Sequence, residues 1–148
     1  MKIEVDTGSR LDQSGDTAFG FSDHSQRALV LKQVSRDECL SKMAGARLSK
    51  ELRLFSACVY LLIKDNLKEL EEMQIDEEYS KHDRDIKRHL ANLIKRYSPN
   101  IEFKEENIKI KAIGKKSQAH KVAWQTLRGE RKAEGIIETK EVLGLLLR

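Results

Sequence analysis

At 148 residues, 39% hydrophobic and 35% charged, the chain suits one domain burying about two thirds of its unfolded surface, which excludes a disordered tail. Its 28 basic residues exceed the 24 acidic ones by only four, so the placement of charge says more than its total. No apolar run approaches the roughly 18 residues of a membrane-spanning helix, no apolar leader is evident, and the expectation is an uncleaved cytoplasmic protein.

Residues 2 to 33 read as three strands. Lys2-Ile3-Glu4-Val5 alternates polar with apolar and delivers Asp6 to a Thr7-Gly8-Ser9 turn. Aspartate beside glycine is ordinary turn chemistry; an acid carried on a strand is also where a metal ligand would stand. Ser14-Gly15-Asp16 signals a turn, and Thr17 to Phe21 places both phenylalanines on one face. Ser22 to Ser25 is a second turn cluster before Ala28-Leu29-Val30-Leu31. Short strands with compact turns predict an antiparallel meander.

The pattern then turns helical. Ser49 is a candidate N-cap for KELRLFSACVYLLI, apolar around most of its circumference and therefore buried on most sides. Cys39 and Cys58 fit no ligand spacing and read as reduced thiols, with a disulfide the lesser alternative. In residues 68 to 79, KELEEMQIDEEY, propensity favours continuous helix, while the alternating Met73-Gln74-Ile75-Asp76 fits a strand ending in an acid. Residues 83 to 97 form an amphipathic helix on Ile86, Leu90, Leu93, Ile94 and Tyr97, stopped by Ser98-Pro99-Asn100. Ile108 to Ile113 alternates strictly and predicts a strand. Gly114-Lys115-Lys116-Ser117 then leads into AHKVAWQTL, a helix ending near Gly129, and Thr139 caps a last helix running to Leu147. That apolar tail, Val142 to Leu147, reads equally as a docking surface for a homo-oligomer and as a closing core helix.

Charge is partitioned. Residues 69 to 85 hold eight acids against two bases, and residues 104 to 132 hold nine bases against three acids. An acidic segment beside a basic one suits a surface that binds a polyanion and coordinates a cation, although a run of charge is more often a solvated face.

The order of three strands, helix, strand, helix, strand, helix resembles the ribonuclease H-like superfamily, and the residues carry the likeness from position 2 to about 129. VDTGS supplies the first-strand aspartate, Asp6; KELRLFSACVYLL supplies a glutamate at a helix start, Glu51; QIDEE supplies a strand-end aspartate, Asp76; SQAHKVAW places His120 where the family has an Asp or His. Within the superfamily, VDTGS, IDEEYSKH, GKKSQAH and RGERKAEGII are similar to small archaeal single-strand-specific 3′–5′ exonucleases.

The resemblance implies a single α/β nuclease domain over 1–148, with 139–148 a C-terminal helix. Its mixed sheet would have five strands: the meander, then a fourth strand at 72–77 and a fifth. It also implies a catalytic and metal-binding set of Asp6, Glu51, Asp76 and His120 holding two Mg²⁺ or Mn²⁺ ions. Two such ions about 4 Å apart activate water, neutralise phosphoryl charge and stabilise the leaving oxygen, which is phosphodiester hydrolysis. With histidine in the fourth place the set has three carboxylates, and Glu77 or Glu78 is the alternative source of negative charge.

For the nucleic acid, expected to be single-stranded DNA, Lys115, Lys116 and Ser117 precede a helix N-terminus, a favourable phosphate contact. Lys121, Arg128 and Arg131 extend the track, and Trp124, one turn beyond His120, either stacks a base or fills the core. A non-catalytic nucleic-acid-binding module, and the same fold acting on Holliday junctions or RNA in hybrids, are the competing readings.

Overall fold

A computed structural model describes residues 1 to 147. The chain runs β1 (Lys2–Gly8), β2 (Thr17–Ser22), β3 (Gln26–Leu31), α1 (Gln33–Lys42), α2 (Arg47–Ile63), β4 (Glu72–Ile75) and α3 (Asp83–Tyr97). It continues through β5 (Ile108–Ile110), α4 (Gln118–Leu127), β6 (Gly135–Ile136) and α5 (Thr139–Leu146). The strands form one mixed sheet in the order β5-β4-β1-β2-β3-β6. β1, β2 and β3 pair antiparallel; β4 lies parallel to β1, β5 to β4, and β6 to β3.

Residues 72 to 75 are a strand. Met73 and Ile75 are buried while Glu72 and Gln74 are half-buried, and the segment pairs residue for residue with Lys2 to Val5. Pairing on both edges, with β1 and with β5, overrides the helical propensity of the surrounding glutamates and lysines.

Four expectations are corrected. The sheet has six strands rather than five, because β6 adds two residues to the β3 edge, too few to show alternation in sequence. A helix, α1, precedes α2; it buries only Arg36, Cys39 and Leu40 and so shows little apolar stripe. α2 begins at Arg47, with Ala46 rather than Ser49 at the N-cap. At the last helix Glu138 and Glu141 form the capping box and Thr139 is already inside. Cys39 and Cys58 are buried free thiols, and burial pushes Cys39 up to about 11 and Cys58 well above its ordinary value. Among the described residues no helix is long and apolar enough to cross a membrane.

Strand alternation gives the sheet two unlike faces. One carries Ile3, Val5, Phe19, Phe21, Leu29, Leu31, Met73 and Ile75, all buried in the main hydrophobic core with residues of α2, α3 and α5. The other carries Asp6, Gly8, Ala18, Gly20 and Ala28, and α4 lies across it through Ala119, Val122 and Ala123. Small residues on both sides bring the α4 backbone close: a Cβ at Gly8 would stand 2.9 Å from the Ala123 carbonyl oxygen, and one at Gly20 would stand 3.1 Å from the Ala123 nitrogen. This close seat places the first turn of α4 over Asp6.

Candidate metal centre

Asp6 lies on β1 and is 4% exposed. The Thr7 N–H donates to its Oδ1 at 2.7 Å, and His120 Nδ1 of α4 lies 2.9 Å from its Oδ2. An ionised carboxylate only accepts, so toward it Nδ1 is the donor of this hydrogen bond.

Asp76 follows β4 directly. Its N–H donates to the Val5 carbonyl at 2.9 Å, continuing the parallel ladder and setting its side chain beside that of Asp6. Its Oδ1 accepts from the Ile113 N–H at 2.9 Å. Two residues on, Glu78 accepts a short hydrogen bond from the Thr7 hydroxyl. Ligand oxygens of Asp6, Asp76 and Glu78 all lie within 4.8 Å of one another.

Three carboxylates this close, partly shielded from water, resist full ionisation. Burial pushes Asp6 up to about 6, with Asp76 adding to the rise and the Thr7 N–H and His120 opposing it. Burial likewise pushes Glu78 up to about 7, helped by Asp6 and Asp76 and opposed by the Thr7 hydroxyl and Arg10. Glu77 is exposed and is raised chiefly by Asp83. Of the two glutamates offered as alternatives in the sequence, Glu78 is the one facing the pair of aspartates.

Both raised carboxyls hold protons more tightly in the folded chain than in the unfolded one. Their contribution to stability is therefore complete below about pH 4 and is lost as pH rises through 6 and 7. Discounted for the solvent that still reaches the cluster, the loss is about 2 kcal/mol, or roughly 4–8 °C in Tm. Thermal melts in chelator at pH 5 and pH 8, for wild type and for Asp6→Asn/Glu78→Gln, check this. Relative to the variant, wild type should lose Tm toward pH 8; a relative gain would show that burial and the neighbouring acids do not hold these carboxyls protonated.

Glu51 is not among the residues whose ligand oxygens converge within 4.8 Å. Its carboxylate accepts from Arg47 Nε at 2.7 Å, one turn earlier on α2, and its side chain is 7% exposed. Tyr79, packed edge-on against Phe55 at 5.7 Å, lies beside Glu51, and its phenol is pushed up by burial first and by Glu51 next.

Of the expected nucleic-acid contacts, Lys115, Lys116 and Lys121 are exposed. Ser117 caps α4, its Oγ accepting from the Ala119 N–H at 3.1 Å and donating to Glu4 at 2.9 Å, so its hydroxyl is already engaged. Trp124 is half-buried rather than a core residue. Its ring centroid lies 6.0 Å from that of His120, and the Arg128 guanidinium sits 5.5 Å over it, so the three residues stack at successive turns of α4. Arg131 pairs with Glu134 at 2.6 Å and reaches the Gln26 carbonyl at the start of β3, two strands across the sheet from β1.

One residue beside the trio carried no sequence signal. Arg10, in the turn after β1, places Nε 3.9 Å from Glu78 Oε2. Nothing in the turn composition distinguishes it from a solvated arginine. Compared with known proteins, the chain matches no family model, no curated protein and no solved structure.

Proposed function

We propose that the chain is a divalent-metal-dependent nuclease with a ribonuclease H-like fold, acting as a 3′–5′ exonuclease on single-stranded DNA. The observation that carries this reading is the convergence of Asp6, Asp76 and Glu78 within 4.8 Å, on and just beyond two adjacent parallel strands. The antiparallel meander with β4 and β5 beside it, two acids just beyond β4 and a histidine brought in by α4 support that reading.

The residues fit Mg²⁺ or Mn²⁺. Hard divalent cations take carboxylate oxygens, and a cation among these three would favour the ionised forms that burial first and mutual repulsion next disfavour at Asp6 and Glu78. Asp6, Asp76 and Glu78 would hold it, and when bound it would supply charge neutralisation at the phosphoryl oxygens and a more acidic water. The chain's own contribution is orientation. The Thr7 N–H and His120 fix Asp6, the Ile113 N–H fixes Asp76, and the Thr7 hydroxyl fixes Glu78. Carboxylates held in this way need little reorganisation to bind a cation.

The half-buried His120 and Trp124 rings, with the exposed Arg128 guanidinium over the indole, favour single strands, whose unpaired bases present a free face to an aromatic ring. Trp124→Ala should weaken binding of a single-stranded oligonucleotide about tenfold, since one base–aromatic stack is worth about 1–3 kcal/mol. Fluorescence anisotropy reads this, with Tm as the check on folding; wild-type affinity in the variant would remove Trp124 from the interface.

The testing experiment incubates purified protein with 5′-labelled single-stranded, hybrid and four-way-junction substrates in Mn²⁺ or chelator. A Mn²⁺-dependent ladder shortening the single strand from its 3′ end supports the proposal. Cleavage only of hybrids or junctions keeps the chemistry and changes the substrate. Salt-sensitive binding indifferent to chelator, with no cleavage in any arm, would leave a binding module in its place.

A further inference from the structure

Arg10 projects from a turn that is held on several sides. Arg36 of α1, 5% exposed, donates through Nη1 to the carbonyls of Gln13 at 2.7 Å and Gly15 at 3.0 Å. Gln33 accepts from the Gly15 N–H at 2.7 Å and donates its own N–H to Asp16 at 2.8 Å, while Leu11 is buried beneath. The Arg10 guanidinium lies over the Tyr79 ring, 5.2 Å from its centroid. Nε stands 3.2 Å from Asp12 Oδ1 and 3.9 Å from Glu78 Oε2, yet neither contact is aligned as a hydrogen bond. The two terminal nitrogens make no hydrogen bond to any described residue.

An arginine that served only to neutralise Glu78 would be expected to share hydrogen bonds with it; Glu78 takes its bond from the Thr7 hydroxyl instead. A phosphate strand approaching three carboxylates is repelled unless a cation waits beside them. Among the described residues, Arg10 is the one lysine or arginine that makes an ion pair with the trio. Its flat, aromatic-backed fork with free terminal nitrogens suits two oxygens of one phosphate.

We propose that Arg10 binds a backbone phosphate of the single strand next to the acidic trio, which makes it a substrate-positioning residue of the nuclease reading on which this inference rests. The charge argument gives the proposal a signature of opposite signs. Removing Arg10 takes a cation away from the trio and should tighten Mn²⁺ binding a few-fold, while weakening the hold on the strand.

The test compares wild type, Arg10→Lys and Arg10→Met. Mn²⁺ affinity is measured by calorimetry, and oligonucleotide affinity by anisotropy in Ca²⁺ over a range of salt. Arg10→Met is expected to bind the oligonucleotide about tenfold more weakly, with the salt slope reduced by roughly 0.7, one single-strand phosphate contact. Arg10→Lys keeps the charge without the fork and should lose most of the affinity while retaining the slope. Mn²⁺ affinity should tighten a few-fold in Arg10→Met and stay close to wild type in Arg10→Lys, and KM for cleavage should rise while kcat changes less. Wild-type affinity and slope in Arg10→Met would overturn the inference, as would parallel loss of Mn²⁺ and oligonucleotide binding, which marks a turn that has collapsed. Absence of Mn²⁺-dependent cleavage by wild type would defeat the nuclease reading instead, and the anisotropy series would still decide the role of Arg10.

Discussion

Asp6→Asn and Asp76→Asn are each expected to lower Mn²⁺-dependent cleavage about a thousandfold or more, the scale on which removing a preorganised charge from a reaction centre acts. Asparagine keeps the shape and one acceptor oxygen. The Thr7 N–H can still be satisfied at position 6 and the Ile113 N–H at position 76. What is lost is one negative charge of three, and losing it relieves repulsion, so Tm should hold or rise while activity vanishes. Glu78→Gln should follow the same pattern. Glu51→Gln should not, because the Glu51 carboxylate is turned toward Arg47, and its activity is expected to stay within about tenfold of wild type. Steady-state rates together with thermal melts of the four variants check this ranking. Full activity in Asp6→Asn and Asp76→Asn would dismiss the trio, and a collapse confined to Glu51→Gln would move the centre to α2.

The second large effect belongs to the seat of α4. Gly20→Val should destabilise the chain by about 3 kcal/mol or more, at the upper end of overpacking costs, and lower Tm by roughly 6–12 °C. The reason is local: a Cβ at Gly20 would meet the Ala123 nitrogen at 3.1 Å and Val122 Cγ1 at the same distance, and backbone cannot swing aside as a flexible side chain can. α4 would have to lift. His120, one turn earlier on that helix, would then leave Asp6, so surviving folded protein should also cleave poorly. Gly144→Ala, where nothing lies within 4 Å of the added carbon, is the control and should be neutral or stabilising by up to about 1 kcal/mol, as alanine is in a helix interior. Equal melts for wild type and Gly20→Val would mean that α4 does not rest on the sheet as described.

The elements with strong periodicity were legible in sequence. The alternation of Lys2 to Val5, the paired phenylalanines of β2 and the apolar stripe of α3 from Ile86 to Tyr97 each match their burial. The β4 segment was not legible from propensity, because Met73-Gln74-Ile75 is too short to outweigh the glutamates around it and becomes a strand only through its two neighbours. α1 stayed hidden because its buried face includes an arginine, and β6 because two residues show no period.

The site divides along the same line. Asp6 follows the readable alternation of Lys2 to Val5 and His120 lies on an amphipathic helix, whereas Asp76 follows a strand that propensity alone does not give. That Glu78 stands beside the two aspartates depends on where the chain turns after β4 and on the Thr7 hydroxyl, which are tertiary facts. Arg10 depends on a turn pinned by Arg36 from a helix the sequence did not announce.

Calorimetric titration of the metal-free chain with Mn²⁺, alongside Asp6→Asn, Asp76→Asn and Glu51→Gln, bears most directly on whether the trio is a metal centre. Saturable binding by wild type and Glu51→Gln that is lost in both aspartate variants is the predicted result. No binding by wild type, or equal binding by all four proteins, would contradict it.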